Sequence, residues 1–408
     1  MRILVISGYC PRDNHSAALS HNAYIEGLIK LGNRIDLLCY SEKNFKVDKQ
    51  MAIPKIENKY EYDGLSLYEK LALKREHNDA AATNVTESSS IDVKRNNVPS
   101  FKSKLVSKVK NSVRSLYGIY NPSIVWFRRA KRFKTNVHYD CVISMSYPQV
   151  SHLLANYLRS HKRVVADKWI QLWEDPWAAD LGNVDGLKKC VKPEGKLLYE
   201  AEDIVYVSPI TLIHQQELFP FAKDKMRWCP LAAYYNAEAI DYSGFKENHY
   251  GYFGDYTPYI RNLEPFYNVA VKKDISVDIC GSPSNLFPSN NRVAIYPRLP
   301  LGELKKHEDK ANVVVCLFNL GGGQIPGKIY QLAATNKVIL AILDGPEDEQ
   351  AIIKEYFEKF NRFVFCQNNE QSISEAIDRI EANDLGDISN EPIDAFSVEK
   401  VAKRLLGD

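Results

Sequence analysis

The 408-residue chain has no CxxC pair, no Asp-x-Asp, no excess charge of one sign (+2 at pH 7) and no apolar run near the roughly 20 residues that span a membrane. Each absence excludes a class. Near-neutrality argues against a general nucleic-acid binder, so no nucleic-acid partner is expected. Without a CxxC pair there is no zinc-ribbon or thioredoxin-type motif. The nine histidines form no ligand pair at helical spacing with a carboxylate, so no metal site is expected. The eight cysteines are scattered, several inside apolar runs, which fits reduced, buried thiols in a cytoplasmic protein. The opening MRILVISGYC carries one arginine and a short apolar run and reads as a first strand rather than a secretory leader.

What is present is alternation. Short β-branched runs at Ile3–Ile6, Ile35–Cys39, Cys141–Ser144, Val164–Ala166 and Ile204–Val207 alternate with helix-period segments such as His21–Leu31 and Val150–Ser160. A second set follows, with strands at Tyr250–Phe253, Val277–Cys280, Val293–Tyr296, Val313–Leu317, Val338–Leu343 and Phe363–Cys366. Helices lie between them at Leu263–Lys272, Lys328–Thr335, Asp348–Phe360 and Ser372–Ile380, the last opened by a capping box from Ser372 to Glu375. This pattern predicts an α/β protein of two doubly wound, Rossmann-like domains facing a cleft. Periodicity is lost between Pro230 and His249, which separates an N-terminal domain, 1–240, from a C-terminal one, 241–395.

Two segments break the alternation. Residues 42–100 are polar and read as an insertion, which with the following segment spans about 42–130. From Phe101 to Lys134 every charge is basic, and Phe101, Leu105, Val109, Val113, Leu116 and Tyr120 recur at helical spacing before Ile124-Val125-Trp126-Phe127. Residues 101–134 would either lie on an anionic membrane surface or pack on the first domain with a solvated basic face.

The segment NVVVCLFNLGGGQIPGKIYQLAATNKVILAIL, from Asn312 to Leu343, runs strand, triple glycine, helix, strand. Gly321, Gly322 and Gly323, followed by Gln324, let backbone N–H groups approach a ligand closely, and the helix start favours an anion such as a diphosphate. Lys328, in the first helical turn, is placed to meet that anion rather than to stabilise the helix.

This segment, with VDICG and VAIYPRLPLGEL before it, resembles the C-terminal domain of GT-B glycosyltransferases, especially the retaining, nucleotide-sugar-dependent group 1 or family 4 enzymes. Their approximate pattern PxKxYEYLAAGKPVLA is matched by Pro326, Lys328, Tyr330, Ala333, Lys337 and Ala341. In the first half, YDCVISMSYPQVSHLLANYL, VVAD and EDPW are similar to the corresponding stretches of that group. The closing AFSVEKVAKRLL resembles its last helix, so residues 396–408 are expected to cross back to the N-terminal domain.

The resemblance covers most of the chain outside about 42–130. It implies sugar transfer from a nucleotide-sugar donor to a glycan or lipid-linked acceptor, with retention, without a metal or cofactor, in surface polysaccharide or glycoconjugate synthesis; the alternatives are a non-catalytic GT-B module that binds sugar nucleotide or a partner protein, or a nucleotide-sugar epimerase. The place would be the cytoplasm, peripheral to the inner face of the membrane if the basic segment binds there.

By that resemblance Arg261 and Lys328 hold the diphosphate with the glycine loop, while Gln331 takes the ribose. Tyr296, Arg298 and Leu299 form the base loop, with a structural turn around Pro297 and Pro300 as the alternative. Asp175 of EDPW is the carboxylate nearest the reacting sugar, or else caps a turn. In Gly8–Ser16, which follows the first strand, Asn14, His15 and Ser16 would make small polar contacts. His15 is assigned with Asp175 to catalysis, and Asn14 and Ser16 with Trp177 to the acceptor. Trp169, Trp173 and Trp177 would form either a sugar-stacking platform or core. The group's two glutamates, eight positions apart, fall on Gly323 and Gln331; an amide still hydrogen-bonds a diol, whereas glycine offers nothing to a sugar.

Overall fold

The structure is a computed structural model that describes residues 1–13, 15–44, 47–48, 51–65, 118–120, 123–180, 183, 185–233 and 240–408. Asn14 and the expected basic helix up to residue 117 lie outside the described residues.

Two sheets organise the chain. The first has the order β3-β2-β1-β4-β5-β6-β7, from β1 (Arg2–Ser7), β2 (Arg34–Tyr40), β3 (Asn58–Tyr62), β4 (His138–Ser146), β5 (Val165–Trp173), β6 (Asp203–Tyr206) and β7 (Met226–Trp228). The second has the order β10-β9-β8-β11-β12-β13, from β8 (His249–Phe253), β9 (Ser276–Cys280), β10 (Val293–Tyr296), β11 (Val313–Leu317), β12 (Val338–Leu343) and β13 (Phe363–Gln367). All pairings in the second sheet are parallel, as are those of β1 with β2 and β4. Parallel strands need crossover helices, and those helices cover both faces.

β11 shows why the strands read as unbroken apolar runs. Val313, Val315 and Leu317 enter one core cluster and Val314 and Cys316 the other, and all five are buried. Successive side chains point to opposite faces, so a strand covered on both sides carries no polar alternation.

The chain divides into two compact units, one made of Met1–Ala18, Asn33–Gln171 and Lys192–Glu202, the other of Leu19–Gly32, Leu172–Val191 and Asp203–Asp408. Within the second unit the helix Ser16–Lys30 meets the last helix, Val398–Leu406. A Cβ on Gly27 would come within 2.0 Å of the Val398 carbonyl oxygen. Arg227 closes that last helix by donating to the carbonyls of Arg404 and Leu405, both at 2.6 Å, while it pairs with Asp203 at 2.9 Å. A cation at a helix C-terminus meets the negative end of its dipole.

Several expectations are corrected. The helix near Ser372 begins at Glu370, and its cap is the Asn369 side chain, which accepts from Ser372 N at 2.9 Å; the Ser372–Glu375 box does not form. A strand, β3, lies inside the stretch read as insertion, because Tyr60 and Tyr62 are only half-buried on an edge strand and leave little hydrophobic signal. Ile124-Val125-Trp126-Phe127 belongs to a helix, Ile124–Ala130, that turns Val125 and Trp126 into the core, with Trp126 Nε1 donating to Cys39 O at 3.3 Å. β5 runs seven residues beyond the expected Val164–Ala166, since Trp169, Ile170, Leu172 and Trp173 continue the buried run. All eight cysteines are buried thiols outside any disulfide. No described helix is long and apolar enough to cross a membrane.

Candidate functional site

In the second sheet the chain leaves β8 toward β9 and β10, then returns to place β11 on the other side of β8. Loops that follow these two strands diverge there, and ligands of such sheets bind at the crevice so formed. The loop after β8 carries Asp255 and Arg261; the loop after β11 carries Asn319 and the glycines. Leu320 N donates to Ile260 O at 2.8 Å and ties the two loops together.

A line of hydrogen bonds runs through this crevice. Arg261 Nε donates to Asn319 Oδ1 at 2.7 Å and its Nη1 to Asp255 O at 3.3 Å. Asn319 Nδ2 donates to Gln324 O at 3.3 Å, and Gln324 Nε2 donates to Asp175 Oδ1 at 2.5 Å. The line joins Arg261 and Asp175, the two residues chosen from sequence for diphosphate and sugar. Asn319 and Asp255 were missed, since single polar residues in a loop carry no spacing signal. Burial of the Asp175 carboxyl and the nearby Asp180 charge push its pKa up to about 6, against the opposing effects of Gln324 and Arg261. Beside it, Glu174 is driven well upward by burial and by the neighbouring Asp175 charge, and stands 3.7 Å from His21 Nε2.

The glycine loop is shaped from below. Gly322 and Gly323 have φ of 83° and 71°, a conformation that side-chain-bearing residues adopt at a cost. Gly323 O accepts from Ser208 Oγ at 2.5 Å and Thr211 Oγ1 at 3.1 Å, and a Cβ there would lie 2.6 Å from Ile210 Cγ2. The position where the resemblance places a glutamate therefore has no room for a side chain. Gln324, one residue on, carries the polar group toward Asp175 instead. Ser208 also caps the helix Pro209–Leu218, accepting from Ile210 N and Thr211 N. The Ser-Pro pair at a helix start was a readable signal for this element.

The helix after the glycines is only six residues long, Lys328–Ala333, and four residues separate Gly323 from it. The helix thus ends two residues short of the expected Lys328–Thr335, and its expected contribution to anion binding falls to the loop and the side chains. Lys328 and Gln331, three apart, lie on the partly exposed face of this helix while Ile329, Tyr330, Leu332 and Ala333 are buried. Lys328 Nζ is not idle: it pairs with Glu308 Oε1 at 2.6 Å. The Cys316 thiol is pushed up to about 12 by burial and drawn back by both Arg261 and Lys328, so both cations act near the end of β11.

The loop expected to hold the base is built on contacts. Tyr296 lies 4.3 Å, centroid to centroid, from His307, whose Nδ1 is 2.7 Å from buried Asp278. Arg298 extends into solvent and donates to Asp255 Oδ2 at 2.8 Å, and Leu299 packs partly against the core. Trp169 and Trp173 are wholly buried and Trp177 is 7 % exposed, so these rings are core and form no open platform.

His15 and Ser16 belong to the first unit, both exposed. His15 Nδ1 accepts from Ala17 N at 3.4 Å, and its ring stacks on Tyr9 at 5.4 Å. In that unit the strand order reverses between β1 and β4, where Gly8 N donates to Ser151 Oγ at 2.9 Å. A Cβ on Gly8 would meet Pro148 at 2.4 Å, so only glycine allows these loops to touch. Among the described residues no group of three or more His, Cys, Asp or Glu side chains could hold a metal ion.

Solved structures share this fold over the whole chain. A glycosyltransferase from Rickettsia africae ESF-5 is 12% identical with a TM-score of 0.52, covering 100% of this chain and 96% of its own. The apo form of the lipopolysaccharide outer core galactosyltransferase WaaB is 12% identical with a TM-score of 0.53, covering 100% and 98%. A UDP-GlcNAc 2-epimerase from Methanocaldococcus jannaschii is 10% identical with a TM-score of 0.50, covering 100% and 99%. At such identities the likeness is one of fold: two Rossmann-like parallel sheets with flanking helices, the GT-B class. No family model matches the chain, and no curated protein matches it.

Proposed function

We propose that the protein is a glycosyltransferase that moves a sugar from a nucleotide-sugar donor to a glycan or lipid-linked acceptor, with retention, in the synthesis of a surface polysaccharide or glycoconjugate. The observation that carries this reading is the hydrogen-bonded line from Arg261 through Asn319 and Gln324 to Asp175 at the strand-order reversal of the second sheet. It sets a cation for a diphosphate and a carboxylate for a sugar at its two ends.

In this reading Arg261 and Lys328 bind the diphosphate, Gln331 the ribose, and Tyr296, Arg298 and Leu299 the base. As the bond from the anomeric carbon to the phosphate oxygen breaks, negative charge grows on the diphosphate and the two cations stabilise it. Ionised Asp175 opposes the positive charge that develops on the sugar. The departing diphosphate takes the proton of the acceptor hydroxyl, and the new C–O bond forms on the face the diphosphate left. With Gly323 bare, Gln324 and Asp175 supply the polar contacts to the sugar. His15 is assigned with Asp175 to catalysis, and Asn14, Ser16 and Trp177 to the acceptor. The basic side chains of residues 101–134 either meet an anionic membrane surface at the cytoplasmic face or form a solvated face on the first domain, and absence of flotation with anionic liposomes removes the first alternative.

Calorimetry with nucleoside diphosphates and their sugar forms tests the site. Arg261→Ala and Lys328→Ala should each weaken diphosphate binding by about 1.5 to 3 kcal/mol. Absence of nucleotide binding by the wild-type chain sinks the proposal. Conversion of a donor sugar to its epimer without transfer to any glycan would instead favour the activity named for the Methanocaldococcus neighbour.

A further inference from the structure

At the opposite, N-terminal edge of the second sheet, two long basic side chains are buried beside the turn between the helix Lys328–Ala333 and β12. Lys337 is 5% exposed and Arg362, which immediately precedes β13, is 1% exposed. They are satisfied very differently. Lys337 Nζ has three partners, donating to Tyr242 Oη at 2.6 Å, to Ala311 O at 2.6 Å and to Glu308 O, which uses all three ammonium hydrogens. Arg362 makes one hydrogen bond, from Nη2 to Thr335 O at 2.6 Å, while Nε and Nη1 are buried with no partner. Among the described residues it forms no ion pair.

A guanidinium carries five N–H donors and cannot give up its proton, so withdrawal from water with most donors unused is costly unless an anion accompanies it. The remedy open to buried Lys337, three backbone or hydroxyl acceptors, is not provided for Arg362. The neighbouring segment, 382–394, is mostly exposed. It is tied there by Ser389 N to Asn361 O at 2.7 Å and Ile393 N to Ala333 O at 2.9 Å. Its Glu391 is the charged group that acts on Arg362, from an exposed position and without pairing.

We propose that Arg362 is the anchor of a second anion site, which takes a small oxyanion of the size and charge of phosphate under the 382–394 segment. The planar fork of the guanidinium matches two oxygens of such an ion, and Thr335 O fixes the fork's orientation by holding Nη2. The site stands apart from the Arg261 crevice by the length of the strands, about 17 Å for five residues. Its occupant therefore clamps the 382–394 segment onto the start of β13 rather than taking part at the crevice.

The test is thermal unfolding of the full chain in inorganic phosphate against chloride at equal ionic strength. An Arg261→Ala/Lys328→Ala variant is run in parallel, so that phosphate bound in the crevice is not counted. The unfolding midpoint should climb by a constant increment for each tenfold rise in phosphate, in the wild type and in that double variant, because a ligand of the native state stabilises logarithmically. Arg362→Met should abolish the phosphate-specific climb. If Arg362→Met does not fold, Arg362→Lys keeps the charge and loses the fork, and should need at least tenfold more phosphate for the same midpoint.

A climb that persists unchanged in the Arg362 variants, or one that vanishes in the Arg261/Lys328 variant, overturns the proposal. Glu391→Gln should leave the phosphate response intact. If in chloride it lowers the midpoint as far as Arg362→Met does, the guanidinium's partner is Glu391 and the anion site falls.

Discussion

Asp175 is the residue of the hydrogen-bonded line whose surroundings change its chemistry. Its carboxyl is raised from 3.8 to about 6 by burial and by Asp180, with Gln324 and Arg261 pulling the other way. The folded chain thus holds this proton more tightly than the unfolded chain. The protonated form contributes stability that is present in full below pH 3.8 and is lost as pH rises through about 6. Asp175→Asn should accordingly stabilise the fold above pH 6, by no more than about 3 kcal/mol, and not at all below pH 3.8, while transfer is lost. Equal stabilisation at both pH values, measured by denaturant titration, would show that the carboxyl is not held in this way. In the proposed reaction the same group sets an acid limb near pH 6. Gln324→Ala, which removes a hydrogen bond to the ionised form, should move that limb upward in the pH profile of kcat/KM; an unmoved limb assigns it to another group.

At the scale of elements, one helix start and one loop are a single device. Ser208 caps the helix Pro209–Leu218 and at the same time donates to Gly323 O, so the cap that begins the helix also sets the glycine loop. Ser208→Ala removes both. An N-cap change alone costs about 0.5 to 2 kcal/mol, and the loss of the donor to a buried carbonyl brings the expected total to roughly 2 to 3 kcal/mol. Urea unfolding reads the stability. A companion calorimetric titration should show weaker nucleotide binding, since Thr211 then holds the loop alone; a drop below 0.5 kcal/mol with unchanged binding would separate the cap from the loop. The bare Gly323 is also explained here: its left-handed backbone and the nearness of Ile210 leave space for no side chain, whatever the ligand.

At the scale of the whole molecule, an early helix and the last one meet in the second unit, where Gly27 is seated against Val398. Any side chain at Gly27 pushes a helix away from a backbone that cannot yield. Gly27→Ala should cost more than about 2 kcal/mol even though alanine is the better helix former by roughly 1 kcal/mol. A variant as stable as the wild type in denaturant titration would show that the two helices do not touch as described. Because both sheets are parallel, every crossover helix must lie on a face, and inner strands such as β1, β8 and β11 are buried on both sides.

That physical fact divides what was legible in the sequence from what was not. Runs such as Val313–Leu317 and Val338–Leu343 are buried on both faces, so they stand out in any reading and set the two-sheet α/β class. Edge elements such as β3, with half-buried tyrosines and charged neighbours, leave no such trace. Arg261, Gln324 and Asp175 could each be picked by residue type and resemblance. Their joining through Asn319 could not, because Arg261 and Asn319, 58 positions apart, meet only where loops leave neighbouring strands, and Gln324 and Asp175, 149 apart, follow strands of different sheets. The sequence by itself determined the layered architecture, through the spacing of apolar residues. Only the tertiary structure decided which polar side chains share a partner, why position 323 must be glycine, and that Lys337 is fully bonded while Arg362 is not. Hydrogen bonds between distant residues depend on geometry that composition and period do not carry.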